Sequence, residues 1–322
     1  MKKSLFVLLV FWAVFSGYSE TVRVATYNIE HFMRMFDQQK MPERSRNMTE
    51  LYSDEEDVYE VAAVIKSKDF NADIIAIQEC CDEQMLELFV KKWLDGEYEY
   101  AKVSYGNTDG QYLGFLVRKG WSVRDFREYV DIKDPADDRS LRSFKEREGK
   151  DFFDFLFSRG PAFILVESPG GTSFWVGCTH VKSKYGNNEA VTKWRLREID
   201  KTRQICAELL AGGKTDKLVI LGDFNDTIGM DKYEKIVGAD VVMRMTEGSG
   251  GEELKMLTRK LSDSGKASYH CEFKPRYYRG FLDHVFASPA MAECFESALM
   301  VESPVAAVAS DHYPVVCEFE FE

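Results

Sequence analysis

Lys217-Leu-Val-Ile-Leu-Gly-Asp-Phe-Asn-Asp226 is the stretch on which the reading of this chain turns. Its apolar core is too short for a helix and suits a strand covered on both faces. The run stops abruptly at Gly222, and two carboxylates and an amide follow within four residues. A buried strand that ends in such groups presents them at the edge of a sheet, where the backbone emerges from the core. Outward from it, the same signature recurs. Val24-Ala-Thr-Tyr-Asn28-Ile-Glu30 and Ile75-Ala-Ile-Gln78-Glu79 each end in an amide and a carboxylate. Val176-Gly-Cys-Thr-His180-Val-Lys182-Ser-Lys184 ends in a histidine and two lysines. Phe281-Leu-Asp283-His284 opens a strand, and Ala309-Ser-Asp311-His312 precedes the last one.

Between these strands the apolar period changes. Val58, Val61, Val64 and Ile65 recur at helical spacing, as do Leu86, Phe89, Val90, Trp93 and Leu94. The spacing predicts a long helix over Glu189 to Leu210, stopped by Gly212-Gly213. Further strands are expected at Leu113 to Val117, Ala162 to Val166, Leu282 to Ala287 and Pro314 to Phe321. Interspersed strands and helices indicate an α/β protein. Some strands follow one another without room for a crossover helix, so mixed sheets are expected. Two stretches read as loops: the charge-dense Lys133 to Asp151, and Thr246 to Glu253 with its run of glycines.

The 322 residues are 45% hydrophobic and 30% charged, enough for a sizeable core and too ordered in pattern for bulk disorder. Residues 1–19 differ from the rest: Lys2 and Lys3, a continuous apolar run from Leu5 to Phe15, then Gly17-Tyr18-Ser19. This is the pattern of a secretory signal cleaved after Ser19, leaving one domain over residues 20–322 that is secreted or periplasmic. The run is shorter than the ~20 residues of a spanning helix, and no later segment is apolar enough to be a stable membrane span. Losing two lysines leaves 40 basic against 54 acidic residues, a balance of −14. Such a charge argues against indiscriminate DNA binding. Lys182, Lys184 and Arg195 are close in sequence to His180 and predict a local basic strip on the substrate side. The seven cysteines are irregularly spaced, which favours buried free thiols with at most one bridge.

Asp, Glu and Asn at strand ends are hard oxygen ligands, which favour Mg²⁺, with Mn²⁺ or Ca²⁺ as alternatives. The chemistry that fits is phosphoryl transfer: a cation and His or Lys neutralise the phosphate while a carboxylate activates water. No nucleophile elbow, P-loop or dinucleotide fingerprint occurs.

The ordered set Tyr27-Asn28-Ile-Glu30, Ile77-Gln-Glu79, Thr179-His180, Gly222-Asp223-Phe-Asn225-Asp226, Leu282-Asp283-His284 and Ser310-Asp311-His312-Tyr-Pro314 resembles the endonuclease/exonuclease/phosphatase superfamily, with its deoxyribonuclease-like fold. His180-Val-Lys-Ser-Lys184 is similar to a stretch in its exported bacterial nucleases. The resemblance implies a four-layer α/β sandwich of two mixed sheets packed face to face with helices outside. By position it implies Glu79 as principal metal ligand, with Asn28, Asp311 and Glu30. Asp223 would orient or deprotonate the attacking water, and Asn225 would hold the phosphate. His312 would contact the phosphate while Asp283 fixes its tautomer, and His180 would assist the leaving oxygen or the phosphate. Arg159, Lys182, Lys184 and Asn28 would bind substrate, Arg159 having a structural ion pair as its competing role. No catalytic part is expected of His31, His270 or His284.

The resulting expectation is a monomeric, divalent-metal-dependent phosphodiesterase, foremost a nuclease acting on DNA or RNA. The rival on the same scaffold is a phosphatase, sphingomyelinase or phospholipase C-type enzyme for phospholipid or inositol phosphate. The rival of another class is a catalytically silent binding module, which the full polar set disfavours.

Overall fold

The computed structural model describes residues 19–30, 32, 55–108, 110–134, 155–186, 188–248, 253–273 and 276–322. The expected signal segment before Ser19, His31 and most of the two expected loops lie outside the described residues. In chain order the first half comprises β1 (Glu20–Asn28), α1 (Glu55–Ile65), β2 (Ile74–Cys80), α2 (Glu83–Trp93), β3 (Tyr98–Ser104), β4 (Tyr112–Arg118), β5 (Ser122–Glu128), β6 (Ala162–Glu167) and β7 (Ser173–His180). Then come α3 (Glu189–Ala211), β8 (Leu218–Asp223), α4 (Lys232–Val237), β9 (Lys255–Met256), β10 (Tyr269–Phe273), β11 (Arg276–Gly280), β12 (Asp283–Ala287), β13 (Phe295–Met300) and β14 (Val315–Phe321), with short helical turns between.

Two six-stranded sheets form, in the orders β13-β14-β1-β2-β4-β3 and β5-β6-β7-β8-β12-β9. Each is mixed. A parallel pair, β1 with β2 or β7 with β8, sits near the centre with antiparallel strands on either side. The crossovers that parallel pairing requires run through α1 and α3. β10 and β11 pair with each other outside both sheets, as a two-stranded ribbon that an isolated bridge joins from Tyr269 to His312.

Strand alternation sorts the side chains into layers. Val22, Val24, Ile74 and Ala76 of one sheet meet Val176, Cys178, Val219, Leu221 and Val285 of the other in the core between the sheets. The opposite parity, with Tyr27, Ile75 and Ile77, packs under Val58, Val61, Leu86 and Phe89 of α1 and α2. On the other side, Trp175, Leu218, Ile220 and Phe286 pack under Ile199, Cys206 and Leu209 of α3. Helix, sheet, sheet and helix make the four layers. Among the described residues all seven cysteines are free thiols, with Cys80, Cys81, Cys178, Cys206 and Cys317 buried. No helix of the described residues is long and apolar enough to cross a membrane.

Candidate active site

Strand parity aims the site. On β1 the residues that face the other sheet are Val22, Val24, Thr26 and then Asn28; on β2 they are Ile74, Ala76 and Gln78; on β7, Val176, Cys178 and His180; on β8, Val219, Leu221 and Asp223; on β12, Ala287, Val285 and Asp283. Each row is apolar until its last residue and polar there, except on β1, where Thr26 is already polar and donates to Gln78 Oε1. Register then aligns the ends, pairing Asn28 with Gln78, His180 with Asp223, and Asp283 with Asp223. The polar groups therefore close one end of the inter-sheet core. Gly222 permits the approach of β7 and β8 there: a Cβ on it would lie 1.9 Å from the Thr179 carbonyl oxygen.

Asp223 is the hub, almost wholly buried. Its Oδ2 lies 3.1 Å from Asn28 Nδ2, 3.3 Å from His180 Nε2 and 3.3 Å from Asn225 Nδ2, with His312 Nε2 at 3.8 Å. Its Oδ1 accepts from the Asn225 backbone N–H at 2.7 Å. Asn225 sits in the left-handed region at φ 53, held by that bond and by donation from Nδ2 to the Val181 carbonyl. Burial, aided by Asp283 and Glu79, raises the Asp223 carboxyl to about 6 against the opposing pull of His312 and the Asn225 N–H. An acid poised there can orient a water and take its proton near neutral pH.

His312 Nδ1 meets Asp283 Oδ2 at 2.8 Å. Burial alone would lower the ring's pKa, but Asp283, Asp223 and Asp311 overcome it and hold the imidazole well above its ordinary value. The ring is thus cationic beside the place an anion would occupy.

Asn28 Nδ2 also donates to Glu79 Oε1 at 3.3 Å, and Asn28 Oδ1 accepts from the Glu30 N–H. Glu30 Oε2 accepts from the Asp311 N–H at 3.0 Å. Glu30 and Glu79 both have positive φ, at 40 and 57, which is uncommon outside glycine and collects at functional sites. Burial, with Glu30, Glu79 and Asp223 nearby, raises the Asp311 carboxyl to about 7 although His312 pulls it down. Carboxylate oxygens of Glu30, Glu79 and Asp311 gathered beside Asn28 are a donor set that fits a hard divalent cation. Among the described residues, no three His, Cys, Asp or Glu side chains already converge as a metal cluster.

The cations are arranged differently from the expected basic strip. Lys184 Nζ is bound by Asp226, by Asp231 at 3.0 Å and by Glu234 at 3.5 Å. Arg195 is buried, with Nη1 on Asp226 Oδ2 at 2.7 Å and Nη2 on the Phe224 and Asn225 carbonyls at 3.1 and 3.2 Å. Lys182 Nζ reaches Ser183 and the face of Trp194. Arg159 is buried and donates to Gln111 Oε1 and the Val181 carbonyl, with no carboxylate paired to it among the described residues. Burial lowers its pKa against the attraction of Glu79, Glu198 and Asp223.

Strand-end reasoning overlooked the supports behind the site. Glu198, one helical turn after Arg195 on α3, accepts from the Ser158 N–H at 3.2 Å and the Lys182 N–H at 2.8 Å. It ties the segment before β6 to the segment after His180. Arg195 and Glu198 share the i, i+3 spacing that puts both on one helix face, a signal readable in the sequence once that face is known to be buried. His284, buried with Nε2 2.9 Å from the Asp226 carbonyl oxygen, and His270, its ring tilted with its centroid 4.3 Å from that of Tyr313, are not among the groups gathered on the Asp223 carboxylate. The cleft above the site, about 410 Å³, is lined by Glu79, Asp223, Asn225, Asp311 and His312 and by Tyr269, Tyr278 and Arg279 of the ribbon.

The sequence profile of the Endonuclease/Exonuclease/phosphatase family matches residues 25–312. A search of curated protein sequences finds no match. Among solved structures, the human Nocturnin catalytic domain with bound sulfate aligns at TM-score 0.61 and 18% identity, covering 94% of this chain and 94% of that one. TDP2 of Caenorhabditis elegans aligns at 0.56 and 16%, covering 93% and 74%. TDP2 of D. rerio complexed with single strand DNA product aligns at 0.57 and 13%, covering 93% and 98%. At these identities the likeness is one of fold.

Proposed function

This chain belongs to the endonuclease/exonuclease/phosphatase family, and from that premise we propose that it is an exported, divalent-metal-dependent nuclease that hydrolyses backbone phosphodiesters of DNA or RNA. The observation that carries the reading is the set of donors gathered on Asp223 Oδ2. Asn28, His180, Asn225 and the charged ring of His312 crowd one carboxylate oxygen. The same donors suit the oxygens of a phosphate that gains charge in its transition state. The D. rerio TDP2 complex, which holds a single strand DNA product on this fold, supports nucleic acid over lipid.

In this reading Asp223 orients the attacking water and accepts its proton as the new P–O bond forms. His312, kept charged by Asp283, hydrogen-bonds a non-bridging oxygen, and the Asn28 and Asn225 amides hold the others. His180 gives a proton to the leaving oxygen as the old P–O bond breaks. Glu79, Asn28, Glu30 and Asp311 would hold the cation, foremost Mg²⁺, which when bound supplies Lewis-acid neutralisation of the phosphate. The catalytic unit is residues 20–322, released by cleavage after Ser19 and acting as a monomer.

The test is turnover by the purified mature chain on DNA, RNA, sphingomyelin and inositol phosphates, with Mg²⁺ and with EDTA. Chelator-sensitive cleavage of DNA or RNA is expected. Turnover confined to sphingomyelin or inositol phosphates would assign the rival chemistry on the same site.

A further inference from the structure

The side chain that holds Arg159 is a neutral amide, and that has an electrostatic consequence. Gln111 stands in the loop between β3 and β4, immediately before β4. Its Oε1 accepts from Arg159 Nε at 2.9 Å and from Nη2 at 2.5 Å. A guanidinium has only donors, so the oxygen end of the amide must face it. The loop lies tightly against the segment that carries Arg159. A Cβ on Gly106 would lie 2.6 Å from the Arg159 Cα and 2.8 Å from its carbonyl oxygen, an approach that only glycine admits. Asn107 Nδ2 donates to the Val130 and Phe157 carbonyls at 2.9 Å each and pins the loop there. The remaining contact of the guanidinium leads to the site. Arg159 Nη1 donates to the Val181 carbonyl at 3.4 Å, and the same carbonyl accepts from Asn225 Nδ2 at 2.9 Å. The guanidinium and an amide of the phosphate site thus meet on one oxygen.

A buried cation is costly unless something compensates it. Elsewhere around this site carboxylates do so: Lys184 has Asp226, Asp231 and Glu234, and Arg195 has Asp226. Arg159 is only 7% exposed and has no carboxylate at ion-pair distance among the described residues. Glu79, Glu198 and Asp223 attract it from farther off. Both oxygens of Glu198 already accept the Ser158 and Lys182 N–H groups, and Asp223 carries the donors described above. A glutamate at 111 would have the same shape, would accept the same two N–H groups and would bind the guanidinium more strongly as a charge-assisted pair. It would also cancel the charge. Glutamine supplies the geometry and leaves the charge in place.

We propose that Gln111 is a positioning residue that holds Arg159 behind the phosphate site through a neutral acceptor, so that its full positive charge acts on the anionic phosphodiester beside Asn225. The proposal rests on the phosphodiesterase chemistry argued above, and not on whether the substrate is nucleic acid or lipid. The charge acts through a buried interior, where salt screens it little. It supplies an attraction that Lys184 and Arg195, both bound to carboxylates, do not. Taking a phosphate at Asn225 to lie about 8–10 Å from position 111, one added negative charge at an effective dielectric constant of about 20 weakens its binding roughly 15- to 30-fold.

The experiment is steady-state hydrolysis by the full mature chain with Mg²⁺, on whichever phosphodiester the wild type turns over, with a melting curve for every variant. Gln111→Glu should lower kcat/KM roughly 15- to 30-fold while its melting temperature stays level or rises, because Arg159 gains an ion pair. Equal or greater stability with less activity is a combination that a packing role does not produce, since both guanidinium contacts survive the change. Gln111→Met keeps the bulk and loses the acceptor, so kcat/KM should fall there too. Wild-type kcat/KM in Gln111→Glu overturns the proposal, because the amide then only holds the chain in place; wild-type kcat/KM in Gln111→Met overturns it because the arginine then needs no aiming. Should Gln111→Glu melt below the wild type, Arg159→Met decides, since it removes the charge without adding a carboxylate. A loss of about tenfold or more in kcat/KM with cooperative melting supports the proposal, and wild-type turnover overturns it. A wild type that hydrolyses lipid phosphodiesters and no nucleic acid overturns the nuclease reading and leaves this test standing. A wild type that turns over no phosphodiester overturns both.

Discussion

Asp283→Asn tests whether His312 and Asp283 act as one unit. The two are joined by a buried 2.8 Å contact, and Asp283 stands foremost among the groups that keep the ring charged. The substitution preserves shape but removes the negative charge. A hydrogen bond to a charged group is worth ~1.5–3 kcal/mol. If all of it is expressed in the transition state, kcat falls roughly 10- to 150-fold. His312→Ala removes the phosphate contact itself and should cost ~10²–10⁴-fold. The double variant should then be little worse than His312→Ala alone, because Asp283 has nothing left to orient. The pH profile supplies a second readout. Asp283 helps raise the His312 pKa, so the proton is retained to higher pH in the wild type. Removing Asp283 should move the alkaline limb of kcat/KM to lower pH. The stability that protonated His312 contributes is fully present below the ordinary histidine value of about 6.5 and is lost as pH rises through its higher folded value. Asp283→Asn should diminish that term. The assay is steady-state hydrolysis from pH 5 to 10 on whichever substrate the wild type turns over, with melting curves as a check of folding. Additive losses in the double variant, or an unmoved alkaline limb, would refute the pairing.

Activity should require added divalent cation, and Glu79→Gln should lose cation-supported turnover; full activity in EDTA would remove the metal from the mechanism. Arg195→Lys keeps the charge beside Asp226 but cannot bridge the Phe224 and Asn225 carbonyls, so kcat should fall about tenfold or more while KM stays near wild type, a loss of positioned groups rather than of binding. Equal loss in KM with unchanged kcat would show that Asn225 does not depend on it. Lys184→Ala leaves Asp226, Asp231 and Glu234 facing one another and should lower stability by about 1–3 kcal/mol, read as a denaturation midpoint, with the salt slope of substrate binding unaltered. A flattened salt slope would return Lys184 to the phosphate.

What the sequence determined by itself follows from burial. Central strands covered on both faces are apolar over the part that lies in the core, so β1, β2, β4, β6, β7, β8, β12 and β14 stand out, and so does the abrupt change to polar residues where they leave the core. Asn28, Glu79, His180, Asp223 and Asp283 were legible for that reason, and strand parity aims all but Glu79 along the rows between the sheets. The strands that escaped notice are those without such burial. β3 and β13 edge one sheet, β5 and β9 edge the other, and β10 and β11 belong to neither. An edge strand exposes one side and much of its length, so its pattern does not alternate strongly enough to read. Charge was the other blind spot. Lys182, Lys184 and Arg195 lie near His180 in sequence, but only folding brings Asp226, Asp231 and Glu234 against Lys184 and turns Arg195 inward. A lysine is indifferent to which carboxylate neutralises it, and that choice is made by loops that meet across tens of residues. Which donors surround Asp223 and which cations are spent on internal pairs were therefore decided by the tertiary structure alone.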